Sequence, residues 1–142
     1  MKKTLLAVAL AAVLSIAQAQ VVNTQVSILA PAVQTSTQVN SLDFVNNFYR
    51  GVHLVVTVTG YVSGSYTLTL QGKNLATGNY YDLLVGSAIT ANGQTVLKLY
   101  PGIPGAANGA ASDFLPQIWR VQLNGASSPN MTIAVDAMLA GG

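Results

Sequence analysis

Residues 51–60 (GVHLVVTVTG) and 65–73 (SYTLTLQGK) decide the fold class of this chain. Alternate positions of the first stretch are apolar, and they are Val52, Leu54, Val56 and Val58. In the second stretch the apolar positions are Tyr66, Leu68 and Leu70, with polar residues between them. Alternation with a period of two places one apolar face toward a core and is typical of β-strands. We therefore predict two strands, joined by a turn from Gly60 to Gly64.

The same alternation continues along the rest of the chain in YYDLLV, TVLKLY, QIWRVQL and MTIAVDAML. In QIWRVQL we predict a core face of Trp119, Val121 and Leu123. No segment after residue 20 has the apolar spacing of a helix, and further strands in VVNTQVSIL and near DFVNNFY bring the number to seven or eight. We predict an all-β fold: a single antiparallel β-sandwich or jelly-roll domain with an extended N-terminal arm.

The first twenty residues, MKKTLLAVALAAVLSIAQAQ, have the layout of a secretory signal peptide. Two lysines precede a short apolar run, and Ala-Gln-Ala stands before Gln20 as a small-residue cleavage site. The run is shorter than the ~20 residues that cross a bilayer, so we predict no stable membrane span. Residues 1–19 are therefore a signal-peptide-like segment, either cleaved or retained as an apolar arm against a neighbouring subunit.

We divide the remainder into an N-terminal arm at 20–40 and a β-sandwich domain at 41–142. The arm is rich in Val, Thr, Gln and Ser but has few core residues. We expect it to pair with a neighbouring subunit, and its removal to weaken assembly while the β-domain stays folded. The Gly- and Pro-rich loop at 101–116 is a second candidate contact, with a tolerated insertion as the alternative.

The charge balance excludes some partners. The chain has six basic and four acidic residues, and without Lys2 and Lys3 the balance is four to four. A neutral chain offers no electrostatic footprint for nucleic acid, so we predict none is bound. Only 7% of residues are charged, against about 25% in ordinary soluble domains. Low charge favours association, which indicates a homo-oligomer, and the absence of cysteine leaves no disulfides.

The segment QGKNLATGNYYDLLVG, residues 71–86, most resembles a chemical motif because Lys73 stands among glycines. A phosphate-binding loop needs its lysine after the second glycine and a helix beyond it. Here the lysine follows the first glycine, and a strand pattern follows Gly78. We predict a β-hairpin whose turn spans 75–79, with Gly78 and Asn79 at the positions that tolerate positive φ.

We predict no catalytic, cofactor-binding or metal-binding residues. His53 is the only histidine, and no Gly-x-Ser-x-Gly motif supplies a nucleophile. The acidic residues are isolated in sequence: Asp43, Asp82, Asp113 and Asp136. Five tyrosines near strand ends could form a carbohydrate or protein contact surface, or could simply pack across strands: Tyr61, Tyr66, Tyr80, Tyr81 and Tyr100. Asn130 begins a glycosylation sequon that matters only in a host with that machinery.

The order of these pieces, from about Leu29 to Leu139, resembles a family of small structural proteins of tailed phages. The similar segments are RGVHLVVTVT, TLTLQGKNLATGNYYDLLVGSAITANGQTVLKLYPG, LPQIWRVQL and MTIAVDAML. The resemblance implies an oligomeric capsid decoration protein or tail component and implies no catalytic residues. A signal-peptide-like segment is atypical of that family.

The leading hypothesis is a non-enzymatic virion structural protein. It would assemble with itself and with capsid or tail subunits through the 20–40 arm and the 101–116 loop. The first alternative is an exported cell-surface or filament subunit, located in the periplasm, on the cell surface or outside the cell, that assembles by strand donation. The second alternative is a secreted carbohydrate-binding module that uses Tyr80 and Tyr81.

Overall fold

The computed structural model describes residues 22–141, and this part of the chain is all-β with no helix. No helix in that range is therefore long and apolar enough to cross a membrane. Its eight strands are β1 (Thr24–Gln34), β2 (Gln38–Asn40), β3 (Phe44–Val45), β4 (Gly51–Lys73), β5 (Tyr80–Ile89), β6 (Gly93–Leu99), β7 (Ala110–Ala111) and β8 (Ile118–Ala140). The all-β prediction is confirmed.

Two strands of 23 residues each, β4 and β8, form the centre of the sheet. They pair antiparallel from Gly51 opposite Ala140 to Gly72 opposite Trp119. The sequence pattern predicted two shorter strands in each of these regions, separated by turns. That division is wrong because the irregular residues in the middle are absorbed as bulges within continuous strands.

The bulges lie together in the middle of the β4–β8 pair, at a place that we call the corner. Ser63 pairs with Asn130 and Ser65 pairs with Ala126, so Gly64 alone faces three residues of β8. Gly64 has a φ of 72°, and two serines of β8 are also left-handed, Ser127 at 56° and Ser128 at 53°. The left-handed residues accommodate the extra length without ending either strand.

The remaining strands flank the two halves of this central pair. One half has the order β1-β8-β4-β6-β7, and in the other half β2 and β3 pair with β8 while β5 pairs with β4. The strands form one mixed sheet that is not closed. The prediction of an entirely antiparallel sheet is wrong at one place, since β7 pairs parallel with β6.

One hydrophobic cluster contains buried residues from both halves of the sheet. It includes every predicted core residue of β4 and the predicted core face of β8, which is 1% exposed or less. The indole ring of Trp119 also stacks on Phe44 of β3, with centroids 4.9 Å apart. The alternation in the sequence therefore identified the core faces correctly.

The predicted N-terminal arm is, in its described part, built into the sheet. β1 and β2 both pair antiparallel with β8 of the same chain, and Ile28 is buried in the core. The boundary at residue 41 therefore separates strands of one sheet, because β1, β2 and β3 all pair with the edge of β8 that β4 does not cover. The predicted segment 1–19 lies outside the described residues.

Candidate functional site

The hairpin that contains Lys73 has the predicted form. β4 and β5 pair antiparallel up to Lys73 opposite Tyr80. The turn closes with the Asn74 amide donating to the Asn79 carbonyl over 2.8 Å, and Gly78 has a φ of 74°. The Asn74 side-chain oxygen accepts hydrogen bonds from the backbone amides of Ala76 and Thr77, which fixes the turn. A strand follows the turn, so these residues lack the helix that a phosphate-binding loop requires.

Beside this turn, four side chains form what we call the polar cluster: Asp43, Lys73, Tyr80 and Arg120. The Lys73 ammonium donates to Asp43 over 2.8 Å, and the Tyr80 hydroxyl donates to the other carboxylate oxygen over 2.6 Å. The Arg120 guanidinium carbon lies 3.4 Å from the centre of the Tyr80 ring. The cluster joins the segment before β3 to strands β4, β5 and β8.

A second layer of hydrogen bonds holds Arg120 in place. Its Nε donates to the Gln71 side-chain oxygen over 2.9 Å, and the Gln71 amide nitrogen donates to Asp82 over 2.8 Å. Gln71 is opposite both residues in the sheet, so the three side chains form one row across β8, β4 and β5. Gln71 is only 8% exposed, and this row supplies its hydrogen-bond partners, as a buried amide requires.

The polar cluster shifts the ionisation of its own members. The hydrogen bonds from Lys73 and Tyr80 lower the pKa of the Asp43 carboxyl. The hydrogen bond to Asp43 in turn raises the pKa of the Lys73 ammonium. Both shifts favour the charged pair, so an acid and a base are each held in their ionised form. The cluster can therefore stabilise a contact between segments, but its charges already have partners.

The other candidate residues are not brought to this cluster. His53 lies on the opposite half of the sheet, between Lys98 of β6 and Met138 of β8. Asp113 accepts a hydrogen bond from the backbone of the next residue, as predicted for a turn former. Within residues 22–141 no three His, Cys, Asp or Glu side chains are grouped so that they could hold a metal ion.

The tyrosines do not form one surface. Tyr66 is fully buried, and its hydroxyl donates to the Ser36 carbonyl over 2.7 Å. Tyr80 lies on the polar cluster, while the ring of Tyr81 covers Gly72 on the other side of the sheet. Tyr61 donates its hydroxyl to the Gly64 carbonyl at the corner. Each of these side chains has a local structural role, and Tyr80 and Tyr81 face away from each other.

The loop at 101–116 is more ordered than its composition predicted. Strand β7 lies within it, and the Gly102 amide donates to the Ser112 hydroxyl over 3.0 Å. At its end, the Leu115 amide donates to the Arg50 carbonyl over 3.0 Å, and the Leu115 carbonyl accepts from Asn46 over 2.8 Å. These bonds fix the end of the loop against the segment that surrounds β3.

Four large apolar side chains on these two joined segments are exposed, and we call them the end surface. Phe48 is 71% exposed and Phe114 is 66% exposed. The other two members are Leu42 at 83% and Val45 at 62%. Sequence alternation did not reveal this surface because its residues lie in segments with little regular strand, which the hydrogen bonds of Leu115 with Arg50 and Asn46 join. The available signal in the sequence was a phenylalanine close to a turn-forming residue in each segment, Phe48 after Asn46 and Phe114 before Pro116.

Comparison of the chain with protein-family models, with curated proteins and with solved structures gave no match.

Proposed function

We propose that this chain is a non-enzymatic structural subunit of a virion that assembles with copies of itself and with capsid or tail subunits. We further propose that its bent sheet serves as a sandwich or jelly-roll module in that assembly. The ordered sequence resemblance to small phage structural proteins supports this role. The low charge and the open sheet also fit a subunit whose surface is covered by neighbours.

The end surface is the observation that carries this proposal. Large apolar side chains that are exposed singly are ordinary, but several on one fixed framework are typical of interaction sites. The backbone beneath the end surface is held by hydrogen bonds from Asn46 and Leu115. Docking there would therefore order little additional chain, which limits the entropic cost of association.

The test is incorporation of a double variant, Phe48→Ser with Phe114→Ser, into particles. Both side chains are mostly exposed, so we expect the same circular dichroism spectrum and nearly the same thermal unfolding. We expect loss of the chain from particles purified by density gradient. Val62→Ser is the matched control, since Val62 is 67% exposed and lies in the middle of β4.

The proposal fails if the wild-type chain is absent from purified particles. It also fails if the double variant is incorporated as well as the Val62 control. A variant that unfolds would be replaced by Phe48→Tyr with Phe114→Tyr, which keeps the rings but adds a polar group.

The second candidate is an exported filament subunit that assembles by strand donation. It is favoured by two long strands at the edges of the sheet, since among residues 22–141 β1 pairs only with β8 and β5 only with β4. Free edges accept a strand from another chain. N-terminal sequencing of the native protein tests this function. A mature terminus near Gln20 supports export, and a chain that keeps residues 1–19 contradicts it.

A further inference from the structure

A second exposed surface lies on the half of the sheet opposite the polar cluster. On β4, His53 is paired with Lys98 of β6 on one side and with Met138 of β8 on the other. The next outward residue of β4 is Val55, whose partners are Val96 and Asp136. We call these six residues the outer face: His53, Val55, Val96, Lys98, Asp136 and Met138.

The outer face points away from the core. Its residues alternate along each strand with buried ones, such as Leu54 on β4, Leu97 on β6 and Ala137 on β8. Its two most exposed apolar members are Val96 at 43% and Met138 at 49%. Three apolar side chains, Val55, Val96 and Met138, thus lie on a regular three-stranded surface, which is the geometry that packs against another sheet.

The two charges of the outer face have no ion-pair partner among the described residues, where Lys73 and Asp43 form the salt bridge. Lys98 and Asp136 lie two strands apart and are offset by two residues along the strands. With strands about 4.8 Å apart and about 3.3 Å per residue, their Cα atoms are roughly 12 Å apart. Lys98 and Asp136 therefore occupy two opposite corners of the outer face, Val96 and Met138 occupy the other two corners, and His53 and Val55 lie between them.

This arrangement is complementary to itself. A second copy can lie face to face with the first, related to it by a two-fold axis. The axis runs parallel to the sheet and perpendicular to the line from Lys98 to Asp136. The axis exchanges the two charged corners, so each Lys98 meets Asp136 of the other copy. Val96 and Met138 lie close to the axis, and each meets its own counterpart. A two-fold interface requires this kind of self-complementary surface.

We propose that the outer face binds a second copy of this chain, and that two ion pairs between Lys98 and Asp136 set the register of the dimer. The inference rests on the proposed function, because it assigns a surface to self-association. A second copy presents the same acid and base, and the two-fold axis places each of them opposite its counterpart of unlike charge. A different partner would have no reason to carry charges in this arrangement. Pairs between copies fix register and exclude wrong partners because like charges placed together are unfavourable.

The experiment reverses each charge and then mixes the two variants. Lys98→Asp places two acids together at each corner of the homodimer, and Asp136→Lys places two bases together. We expect each variant alone to dimerise at least about tenfold more weakly than the wild type in sedimentation velocity. An equal mixture contains a heterodimer in which both ion pairs are restored with reversed sign at one end. We therefore expect the mixture to recover dimers that neither variant forms alone.

Matched controls carry the same charge changes elsewhere. Arg50→Asp and Asp113→Lys alter exposed positions outside the outer face, and we expect both to dimerise like the wild type. Val96→Thr keeps a β-branched residue of similar shape while it adds a hydroxyl at one of the apolar positions close to the proposed axis. We expect it to weaken the dimer without a change in the circular dichroism spectrum.

Three results would overturn the inference. The wild-type chain isolated from cells could be monomeric at every protein concentration tested by sedimentation velocity. The single charge variants could dimerise as strongly as the wild type, or their mixture could form no more dimer than either variant alone. These outcomes are separate from failure of the proposed function. If Lys98→Asp still dimerises and enters particles while the end-surface double variant is excluded from them, the virion role stands and the outer face is not the dimer contact. If no form of the chain enters particles but the mixture recovers dimers, the dimer stands and the virion role fails.

Discussion

At the scale of single residues, Tyr66 shows how a polar atom is placed within the core. The ring is fully buried, yet its hydroxyl reaches the Ser36 carbonyl over 2.7 Å. The alternation of SYTLTLQGK predicted the burial of the ring but could not predict its acceptor. Ser36 lies 30 residues earlier in the chain, in the connection between β1 and β2.

Replacing Tyr66 with Phe tests the value of that bond. We expect a loss of about 1 kcal/mol in the free energy of unfolding at neutral pH, because the Ser36 carbonyl loses its donor. Urea unfolding should show a lower midpoint with an unchanged slope. An unchanged midpoint would mean that the Ser36 carbonyl finds water or another donor at no cost.

The same variant has a distinct pH dependence. Burial raises the pKa of Tyr66 above its ordinary value of 10.0. Tyr66 therefore ionises more readily in the unfolded chain, and its contribution is lost as pH rises from that value through the folded pKa. The stability difference between wild type and Tyr66→Phe should shrink in this alkaline range, and a constant difference would contradict the assignment.

Asp43 is the residue whose charge holds the polar cluster together. We expect Asp43→Asn to destabilise the protein only slightly at neutral pH, because the Asp43 and Lys73 side chains are 32% and 29% exposed and are screened by solvent. The pKa of Asp43 is lowered, so its contribution is present above the ordinary value of 3.8 and disappears as pH falls through the folded pKa.

The raised pKa of Lys73 defines the alkaline limit of the same effect. Its contribution is present below the ordinary value of 10.5 and disappears as pH rises through the folded pKa. Thermal unfolding across pH should therefore show a difference between wild type and Asp43→Asn that vanishes at both extremes. Asp113→Asn is the control, and an equal pH-dependent difference in that variant would contradict a specific role for the pair.

At the scale of elements, the corner between the two halves of β4 explains what alternation could not predict. Gly60 and Gly64 looked like a turn because glycine, serine and tyrosine interrupt the apolar pattern. The alternation does break at this place, because three extra residues of β8, 127–129, lie opposite Gly64. Whether a chain reverses or bulges at such a place depends on its partner strand, and NGASSPN lies about 60 residues further along the chain.

Two glycines with nearly the same backbone conformation give a matched test of the corner. Gly64 and Gly78 have φ values of 72° and 74°. A Cβ at Gly64 would lie 2.6 Å from Pro129 and 2.7 Å from the Ala126 carbonyl, whereas a Cβ at Gly78 would meet nothing within 4 Å. Both alanine variants incur the left-handed strain of about 1–2 kcal/mol.

We expect Gly64→Ala to lose at least about 2 kcal/mol more than Gly78→Ala, because β4 and β8 must also separate at the bulge. Chemical unfolding of both variants measures the difference directly. Equal losses in the free energy of unfolding would show that β4 and β8 can separate at the corner without cost. Close packing between these two strands would then contribute nothing to the stability of the corner.

At the scale of the whole molecule, the sequence predicted the fold class and the core but left the N-terminal segment without a partner in the same chain. Residues 20–40 have few large apolar side chains, which suggested an arm that pairs with another subunit. In the fold, β8 provides the missing partner within the same chain. Composition alone could not distinguish pairing within a chain from pairing between chains, because both satisfy the same backbone groups.

Removal of the chain up to Asn40 is therefore expected to damage the fold itself. The deletion removes Ile28 from the core and leaves one side of β8 without β1 and β2. It also removes the Thr37 carbonyl, which accepts from the Gly125 amide over 2.8 Å. The lost burial and pairing should cost about 5 kcal/mol or more, which is comparable with the whole stability of many domains.

The control is a chain that begins at Gln20, which keeps every strand of the described structure. Thermal unfolding followed by circular dichroism should show a cooperative transition for the control and a weak or absent one for the longer deletion. If the longer deletion keeps the wild-type melting temperature and loses only self-association, then β1 and β2 are an exchangeable arm. In that case β1 and β2 of one copy could pair with β8 of a neighbouring copy, in the same register as they have within one chain.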